Sequence, residues 1–236
     1  MTAQRVALVT GASSGFGQAT AALLAKGGFQ VFGTSRVPQR YSAGTYEMLP
    51  LNVGSATSVL RMLKAVLPTM RKLGGGQIIT VSSILGIVAM PYLGLYTASK
   101  FALEGMIEAL QDEVRPFQIR VSLVEPVFFR TRFAAQPPAA PLAVYEGARQ
   151  SVLRYVSEGV AQGPGPELVA RRIVQLATSS RPPLRSYVGP RASLLVALRQ
   201  WLPSRAFERV RRRVFHIERV PAFDFDKKAE PGKVTR

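Results

Sequence analysis

The chain has 236 residues, 47% of them apolar and 19% charged, which suits one folded domain and excludes a disordered protein. The chain has no cysteine, which excludes disulfide bonds and thiolate chemistry. It has a single histidine, His216, which excludes a histidine-based triad and a clustered metal site. The net charge is +17, and residues 181–236 alone hold 14 basic and 5 acidic residues. Such a charge can attract nucleic acid or an anionic membrane, but we favour a solvated arginine-rich surface with no nucleic-acid partner.

The N-terminus enters an apolar strand directly and shows no signal-peptide pattern. No apolar run approaches the roughly 18 residues of a membrane span. These two features predict a cytoplasmic protein.

Short apolar runs alternate with amphipathic segments along most of the chain. The predicted strands are 5–9, 30–34, 46–51, 77–81, 119–124 and 186–188. The predicted helices are 18–27, 57–72, 96–114, 142–158, 166–179, 192–201 and 204–215. This alternation predicts an α/β fold with a doubly wound parallel sheet and helices on both faces. Residues 1–220 are assigned to this single domain and residues 221–236 to a polar, flexible tail.

A glycine-rich turn joins the first strand to the first helix. Gly11, Gly15 and Gly17 allow a sharp turn, a close approach of backbone amides to a phosphate, and tight packing of helix on strand. Ser13 and Ser14 add short hydrogen-bond donors. Because strand, turn and helix follow in order, the pattern predicts a phosphate-binding loop; the alternative is a tight structural turn without a ligand.

The end of the second strand indicates which nucleotide would bind. An acidic residue there would hold an adenosine ribose 2′-hydroxyl, whereas this chain has Thr34, Ser35 and Arg36. The arginine fork matches a 2′-phosphate, so NADP(H) is favoured over NAD(H). The alternative is that Arg36 is an ordinary exposed charge.

Tyr96 and Lys100 are four residues apart on a predicted helix and therefore share a face. A nearby fixed positive charge favours the phenolate and lowers the pKa of a tyrosine, which can then act as general acid or base on a carbonyl or an alcohol. Ser83 follows the strand 77–81 and can hold the same substrate oxygen. The alternative is an aromatic side chain and a solvated charge with no chemical role.

With these motifs the chain resembles the classical short-chain dehydrogenase/reductase family, and the likeness runs from about residue 5 to about residue 215. Residues 95–105 and 114–126 resemble the branch of hydroxysteroid and retinol dehydrogenase-like enzymes. The matching motifs are Thr10-Gly11-x-x-x-Gly15-x-Gly17, Val81-Ser82-Ser83, Tyr96-x-x-x-Lys100, and Pro126 with Thr131 five residues on.

The resemblance implies a Rossmann-type fold and reversible hydride transfer between NAD(P)(H) and an alcohol or ketone. It implies that Ser83 orients the substrate oxygen, that Tyr96 exchanges the proton, and that Lys100 lowers the tyrosine pKa and holds the nicotinamide ribose. Asn52 falls where the family usually has an aspartate against the adenine. The implied cofactor-binding residues are Gly11, Ser13, Ser14, Gly15, Phe16, Gly17, Arg36, Asn52, Val53, Tyr96, Lys100, Pro126, Phe129 and Thr131.

The chain departs from the family between residues 53 and 82. Family members have two strand-helix units there, an Asn-Asn-Ala-Gly motif and a helical asparagine, and this chain lacks both motifs. Several tens of residues, including the fourth strand, are missing from the expected pattern. We expect the strand 77–81 to take the vacant position and pair with the strand 5–9; the alternative is a sheet that keeps a gap.

Residues 133–165 correspond to the family's substrate-covering region. An apolar alcohol or ketone, such as a steroid, a retinoid or a fatty chain, fits this segment best, although its side chains can equally well belong to the core. The apolar residues on which this rests are Phe133, Leu142, Val144, Tyr145, Val152 and Leu153.

The basic, amphipathic segment 191–217 fits either a helix pair docked on the domain or a membrane contact, and we favour docking. The missing segment shortens a helix through which family members pair, so a homo-oligomer is doubtful.

Taken together, the motifs predict an NADP(H)-dependent oxidoreductase. The alternatives are a catalytically impaired relative that binds nucleotide or a protein partner, and a basic protein that acts through its tail.

Overall fold

The computed structural model describes residues 4–37, 46–51, 56–131 and 143–215. Asn52, Val53, Phe133, Leu142 and the tail 221–236 lie outside the described residues, as does the side chain of Val144. In the described part of the chain, no helix combines the length and the apolar composition needed to cross a membrane.

The described chain forms six strands and seven α-helices, close to the predicted segments. The strands are β1 (Val6–Val9), β2 (Gln30–Ser35), β3 (Glu47–Pro50), β4 (Gly76–Val81), β5 (Ile119–Pro126) and β6 (Arg185–Val188). The helices are α1 (Gly15–Lys26), α2 (Ala56–Lys72), α3 (Gly94–Val114), α4 (Ala143–Gln162), α5 (Glu167–Thr178), α6 (Ala192–Trp201) and α7 (Ser204–Val214).

The strands form two separate parallel sheets of three strands each, in the orders β1-β2-β3 and β4-β5-β6. In the first sheet Val6 lies opposite Gln30, and in the second Gly76 lies opposite Ile119. Parallel strands flanked by helices confirm the doubly wound α/β architecture predicted from the alternation of elements. The interruption between the two sheets agrees with the loss of one strand-helix unit.

The expectation that β4 takes the vacant position beside β1 is wrong. Among the described residues, β1 pairs with β2 and β4 pairs with β5, and the two strands are not hydrogen-bonded to each other. The chain instead adopts the alternative, a sheet with a gap. As a result β4, β5 and the helix α3 between them stay together as one unit, with all six residues of β4 paired to β5.

The second sheet is covered by helices on both faces. On one face α2 and α3 pack on it through a core that includes Leu63, Ile107 and Leu123. On the other face α5 packs on it through Val169 and Leu176. This is the arrangement in which parallel sheets are normally buried.

The first sheet is covered mainly on one face. Ala7 and Val9 of β1 point to that face, where they pack with Leu24 of α1. Val6 and Leu8 alternate with them and point to the opposite face, where they remain 60% and 45% exposed. A strand that is central in an intact sheet therefore has an accessible side.

Helix α5 connects the two sheets through α1. Its residues Val169 and Ile173 belong to the core of the second sheet. Val174 and Ala177 pack in the other core, which contains Ala21 and Leu24 of α1. The contact between α1 and α5 therefore attaches the first sheet to the second.

Hydrogen exchange tests the open edge of β1. Gln30 donates its backbone N–H to the carbonyl of Arg5, so in this parallel ladder Ala7 and Val9 also face β2 while Val6 and Leu8 face the gap. We expect the amides of Val6 and Leu8 to exchange at least about tenfold faster than those of Ala7 and Val9 in native-state measurements by NMR. Equal protection along the strand would show that β1 is paired on both sides.

Candidate active site

The loop between β1 and α1 has the backbone that a phosphate-binding turn requires. Gly11 and Gly15 have φ angles of +65° and +54°, a region that residues with a Cβ rarely adopt. A Cβ on Gly17 would collide with the backbone carbonyl of Gly11, so the start of α1 can lie against the loop only because residue 17 is glycine. The amide of Ala12 donates to the carbonyl of Thr34 at 2.9 Å, which fixes the loop to the end of β2.

The space next to this loop fits the phosphates of a dinucleotide. No heavy atom lies within 4 Å of the position that a Cβ on Gly11 would take, and Thr131 is 3.9 Å from the corresponding position on Gly15. The first turn of α1 directs its free backbone amides toward this place, with the positive end of the helix dipole. Phe16 and Phe129 pack edge to face, with their ring centres 5.5 Å apart, so the loop and the segment after β5 meet as the motifs predict.

The other residues implied in nucleotide binding lie in the glycine-rich loop and at the end of β2. Ser13 and Ser14 are half-buried in the loop, and Ser14 is the residue directly before α1. Arg36 is exposed and immediately follows β2. Ser35 accepts a hydrogen bond from the amide of Val37 at 3.2 Å, which shapes the turn that carries Arg36.

The structure brings Ser83, Tyr96 and Lys100 together at the carboxyl end of β4. Ser83 begins a short 3-10 helix, and its hydroxyl accepts a hydrogen bond from the amide of Leu85 at 3.2 Å. The Ser83 side chain is also hydrogen-bonded to the Tyr96 phenol. Lys100 donates from Nζ to the carbonyl oxygen of Val81 at 3.3 Å, and its Nζ lies 5.8 Å from the centre of the Tyr96 ring.

Burial governs the protonation of this group. It raises the pKa of Tyr96 above its ordinary value, and the hydrogen bond from Ser83 only partly offsets that effect. Burial also lowers the pKa of Lys100, against the opposing charge of Glu104. Lys100 is not among the causes of this shift, and its expected effect on the tyrosine pKa stays a prediction.

Ser83 and Tyr96 open onto a cleft that reaches Phe16 at the start of α1, whereas Lys100 is not part of its lining. Phe16 and Thr131 on the loop side line the same cleft as Ser83, Tyr96 and Pro126, and the cleft encloses about 810 Å³ including its open mouth. Most of the remaining lining is apolar: Ile84, Leu85, Met90, Leu93, Val127, Phe128, Phe129, Tyr155, Val156, Val160, Leu195, Val214 and Phe215.

Much of the apolar lining was missed from the sequence. Of the residues singled out in 133–165, Val152 and Leu153 pack in the neighbouring core and Tyr145 is 55% exposed, so none of these three lines the cleft. The C-terminal helices supply part of the lining instead, through Leu195 and Phe215. The amphipathic pattern of 191–217 was the signal, but it does not reveal which surface the helices cover.

Docking of the two C-terminal helices is confirmed. Val196 of α6, Phe207 of α7 and Phe215 are buried in the core cluster that adjoins the cleft. The Arg199 guanidinium lies 5.3 Å from the centre of the Phe207 ring and connects one helix to the other.

Comparison with known proteins places this fold in the class of nucleotide-binding oxidoreductases. A model of the short chain dehydrogenase family matches residues 45–140. The chain is 33% identical to the 3-ketodihydrosphingosine reductase of Bacteroides thetaiotaomicron, over 84% of this chain and 93% of that protein. It is 35% identical to bovine (Bos taurus) retinol dehydrogenase 8, over 61% of this chain and 50% of that protein. The chain belongs to the short-chain dehydrogenase/reductase family.

Solved structures support the same fold. A short-chain dehydrogenase from Streptomyces avermitilis superposes with a TM-score of 0.71 at 25% identity, over 93% of this chain and 97% of that one. A Burkholderia cenocepacia dehydrogenase in complex with NADP reaches 0.67 at 18% identity, over 88% and 97% of the two chains. A Burkholderia phymatum family member in complex with NAD reaches 0.68 at 20% identity, over 84% and 93%.

The comparison with the Bacteroides reductase also supports the internal deletion. That alignment extends over 252 positions but uses only 84% of this chain of 236 residues, about 198 residues, so roughly 54 positions have no counterpart here.

A buried acidic pair lies next to the site, between α3 and the second sheet. Glu125 of β5 is 0% exposed and accepts a hydrogen bond from the amide of Ser186 at 3.0 Å. Arg185 binds Glu104 of α3 at 3.1 Å but stays 3.9 Å from Glu125. Burial, together with the charge of Glu104, raises the pKa of Glu125 to about 7.

This pKa predicts a pH-dependent stability. The folded chain holds the Glu125 proton up to about pH 7, whereas the unfolded chain releases it near pH 4.3, so the free energy of unfolding falls as the pH rises between these values. Glu125→Gln removes this dependence and keeps an oxygen for Ser186. Relative to the wild type, we expect the variant to gain on the order of 1–3 kcal/mol between pH 5 and pH 8 in urea unfolding.

The exposed Glu158 supplies the control. Glu158→Gln is expected to follow the wild-type pH profile. If Glu125→Gln keeps the wild-type slope as well, Glu125 is already ionised in the folded chain and the buried-proton account is wrong.

Proposed function

We propose that the chain is an NADP(H)-dependent oxidoreductase that interconverts an apolar ketone and its alcohol. The observation that carries this proposal is the hydrogen-bonded pair of Ser83 and Tyr96, which opens onto an apolar cleft that is also lined by Phe16, at the start of α1, and by Thr131, after β5. A hydroxyl that orients a carbonyl and a phenol that exchanges its proton are the two groups this reaction requires from the protein.

Each polar residue has a defined task in this proposal. A bound nicotinamide nucleotide supplies or accepts the hydride. Ser83 holds the substrate oxygen, and Tyr96 donates its proton to that oxygen in ketone reduction or accepts it in alcohol oxidation. Lys100, fixed by the carbonyl of Val81, holds the nicotinamide ribose. The backbone of Gly11 and Gly15 holds the pyrophosphate.

The protonation state favours the reductive direction. Reduction needs a phenol that carries its proton, and the raised pKa of Tyr96 keeps the proton in place at neutral pH. Oxidation needs the phenolate, which is scarce under the same conditions. A protonated phenol near pH 7 is thus consistent with Tyr96 as the proton donor in ketone reduction.

The choice of NADP(H) rests on Arg36. Its guanidinium is exposed directly after β2, and no acidic residue stands in 34–37 to repel a 2′-phosphate. Structural neighbours bind either nucleotide, NADP in one case and NAD in another, so the fold alone does not make this choice.

The substrate we propose is a ketone with a long apolar chain. The cleft offers few polar groups besides Ser83 and Tyr96, and its walls come from aromatic and branched side chains such as Phe128 and Val156. The names of the two relatives, a 3-ketodihydrosphingosine reductase and a retinol dehydrogenase, point to substrates of this type in those proteins.

A cytoplasmic location and a reduced tendency to form dimers stay predictions.

The gap between β1 and β4 favours a second candidate, a relative that binds nucleotide without turnover. In the family the missing strand lies at the switch point where the cofactor binds. Catalytic groups tolerate a misplacement of only about 1 Å. Titration of the purified protein with NADPH, followed by turnover with a panel of apolar ketones, distinguishes the two: binding without turnover selects the inactive relative.

Tyr96→Phe tests the proton donor. The variant is expected to reduce ketones at least about 100-fold more slowly, because the ring stays but the exchangeable proton is lost. Its dissociation constant for NADPH, measured by fluorescence titration, should change much less than the turnover does. The exposed Tyr145 provides the control, and Tyr145→Phe should keep full activity. A Tyr96→Phe variant that keeps wild-type turnover contradicts the assigned role.

Arg36→Ala tests the cofactor preference. Loss of a charge-assisted contact with the 2′-phosphate should weaken NADPH binding about tenfold or more and leave NADH binding unchanged. The control is Arg61→Ala, which removes an exposed arginine from α2. If both nucleotides weaken equally, or neither does, Arg36 does not read the 2′-phosphate.

A further inference from the structure

Helix α6 has two apolar sides, only one of which is buried. Val196 is buried in the core, and Leu195 lines the cleft. Leu194 and Trp201 are 56% and 84% exposed. Because they are seven residues apart, two helical turns, they lie almost in line on the side of the helix opposite Val196. Docking on the domain therefore leaves an exposed apolar stripe.

The neighbouring helix α7 presents a basic face. Phe207 is buried and Val214 is half-buried, while Arg205, Arg209 and Arg212 are exposed on the other side. Arg212 is partly neutralised by Glu208, whose carboxylate lies 3.5 Å from its guanidinium. The α7 helix contains no other acidic residue, so its exposed face keeps a net positive charge.

The apolar stripe and the basic face begin next to each other. Arg205 follows Trp201 by only four residues, which limits the distance between their Cα atoms to about 14 Å. The same two helices line the cleft from inside, through Leu195 of α6 and Val214 of α7. The helix pair thus lines the cleft through buried side chains, while Trp201 and the arginines of α7 stay exposed within a short stretch of chain.

We propose that Leu194, Trp201 and the arginines of α7 form a docking surface for an anionic lipid bilayer. Tryptophan favours the interface between lipid headgroups and acyl chains, and arginines pair with anionic headgroups. A purely polar polyanion such as nucleic acid would match the arginines but leave Trp201 and Leu194 without an apolar partner. The combination of both features therefore favours lipid.

This surface has a consequence for the oxidoreductase, which rests on the proposed function. An apolar ketone partitions into the bilayer, so a cleft that lies beneath the membrane-facing helices receives its substrate from the lipid phase. The membrane contact itself does not depend on catalysis. It can be measured on the full chain without nucleotide or ketone, so its failure and the failure of the proposed enzyme are distinguishable.

The experiment uses the single tryptophan of the chain as a reporter. The full-length protein is mixed with vesicles of equal parts phosphatidylserine and phosphatidylcholine, or of phosphatidylcholine alone, and binding is followed by co-sedimentation and Trp201 emission. We expect binding and a blue shift only with the anionic vesicles, both reversed by high salt. Arg205→Gln/Arg209→Gln should weaken binding at least about tenfold, and Trp201→Ser should weaken it in sedimentation.

A matched control separates this surface from the overall positive charge. Arg61→Gln/Lys64→Gln removes the same two charges from exposed positions on α2 and should bind vesicles like the wild type. An equal loss in both double variants would show non-specific attraction and overturn the proposal. So would the absence of vesicle binding.

Three further outcomes also overturn it. Trp201 emission that is already blue-shifted and protected from a soluble quencher in the free monomer would show that residues of the chain itself cover the stripe. The same result with a dimer in solution would assign the surface to a second copy. A response to duplex DNA but not to anionic vesicles would identify a nucleic-acid site instead.

Discussion

The contact between α5 and α1 joins the two three-stranded sheets. Val174 and Ala177 of α5 pack in the core that contains Leu24 of α1, while Val169 and Ile173 pack in the core of the second sheet. Through this contact the helix that follows the phosphate loop is attached to the second sheet. Phe16 at the start of α1 and Ser83 after β4 line the same cleft.

The chemistry of the site is protected from the deletion because its polar groups belong to one unit. β4, β5 and α3 are joined by a complete strand pairing and a shared core, so Ser83 and Tyr96 keep their hydrogen bond wherever the first sheet lies. What the gap removes is the part of the cofactor site that the missing strand would have built. We therefore expect the deletion to affect the binding and position of the nucleotide more than it affects the Ser83–Tyr96 pair.

The C-terminal helices show how one amphipathic segment can serve two surfaces. Phe207 and Phe215 bury the inner side against the core, and the arginines of α7 keep the outer side in contact with water or an anionic partner. The buried side of these helices also lines the cleft. Binding of an anionic bilayer to their exposed side would therefore bring the lipid phase close to the site of an apolar substrate. An exposed Trp201 is difficult to explain by docking alone.

The sequence by itself determined the strands and helices, the glycine-rich turn, and the spacing of Tyr96 and Lys100, because these depend on local periodicity, on backbone freedom at glycine and on helical repeat. It also revealed the deletion. Only the tertiary structure decided that β4 leaves a gap beside β1, that burial raises the pKa of Tyr96, and that Phe215 lines the cleft. Each of these outcomes depends on packing between segments that are distant in the chain, and local sequence carries no information about such packing.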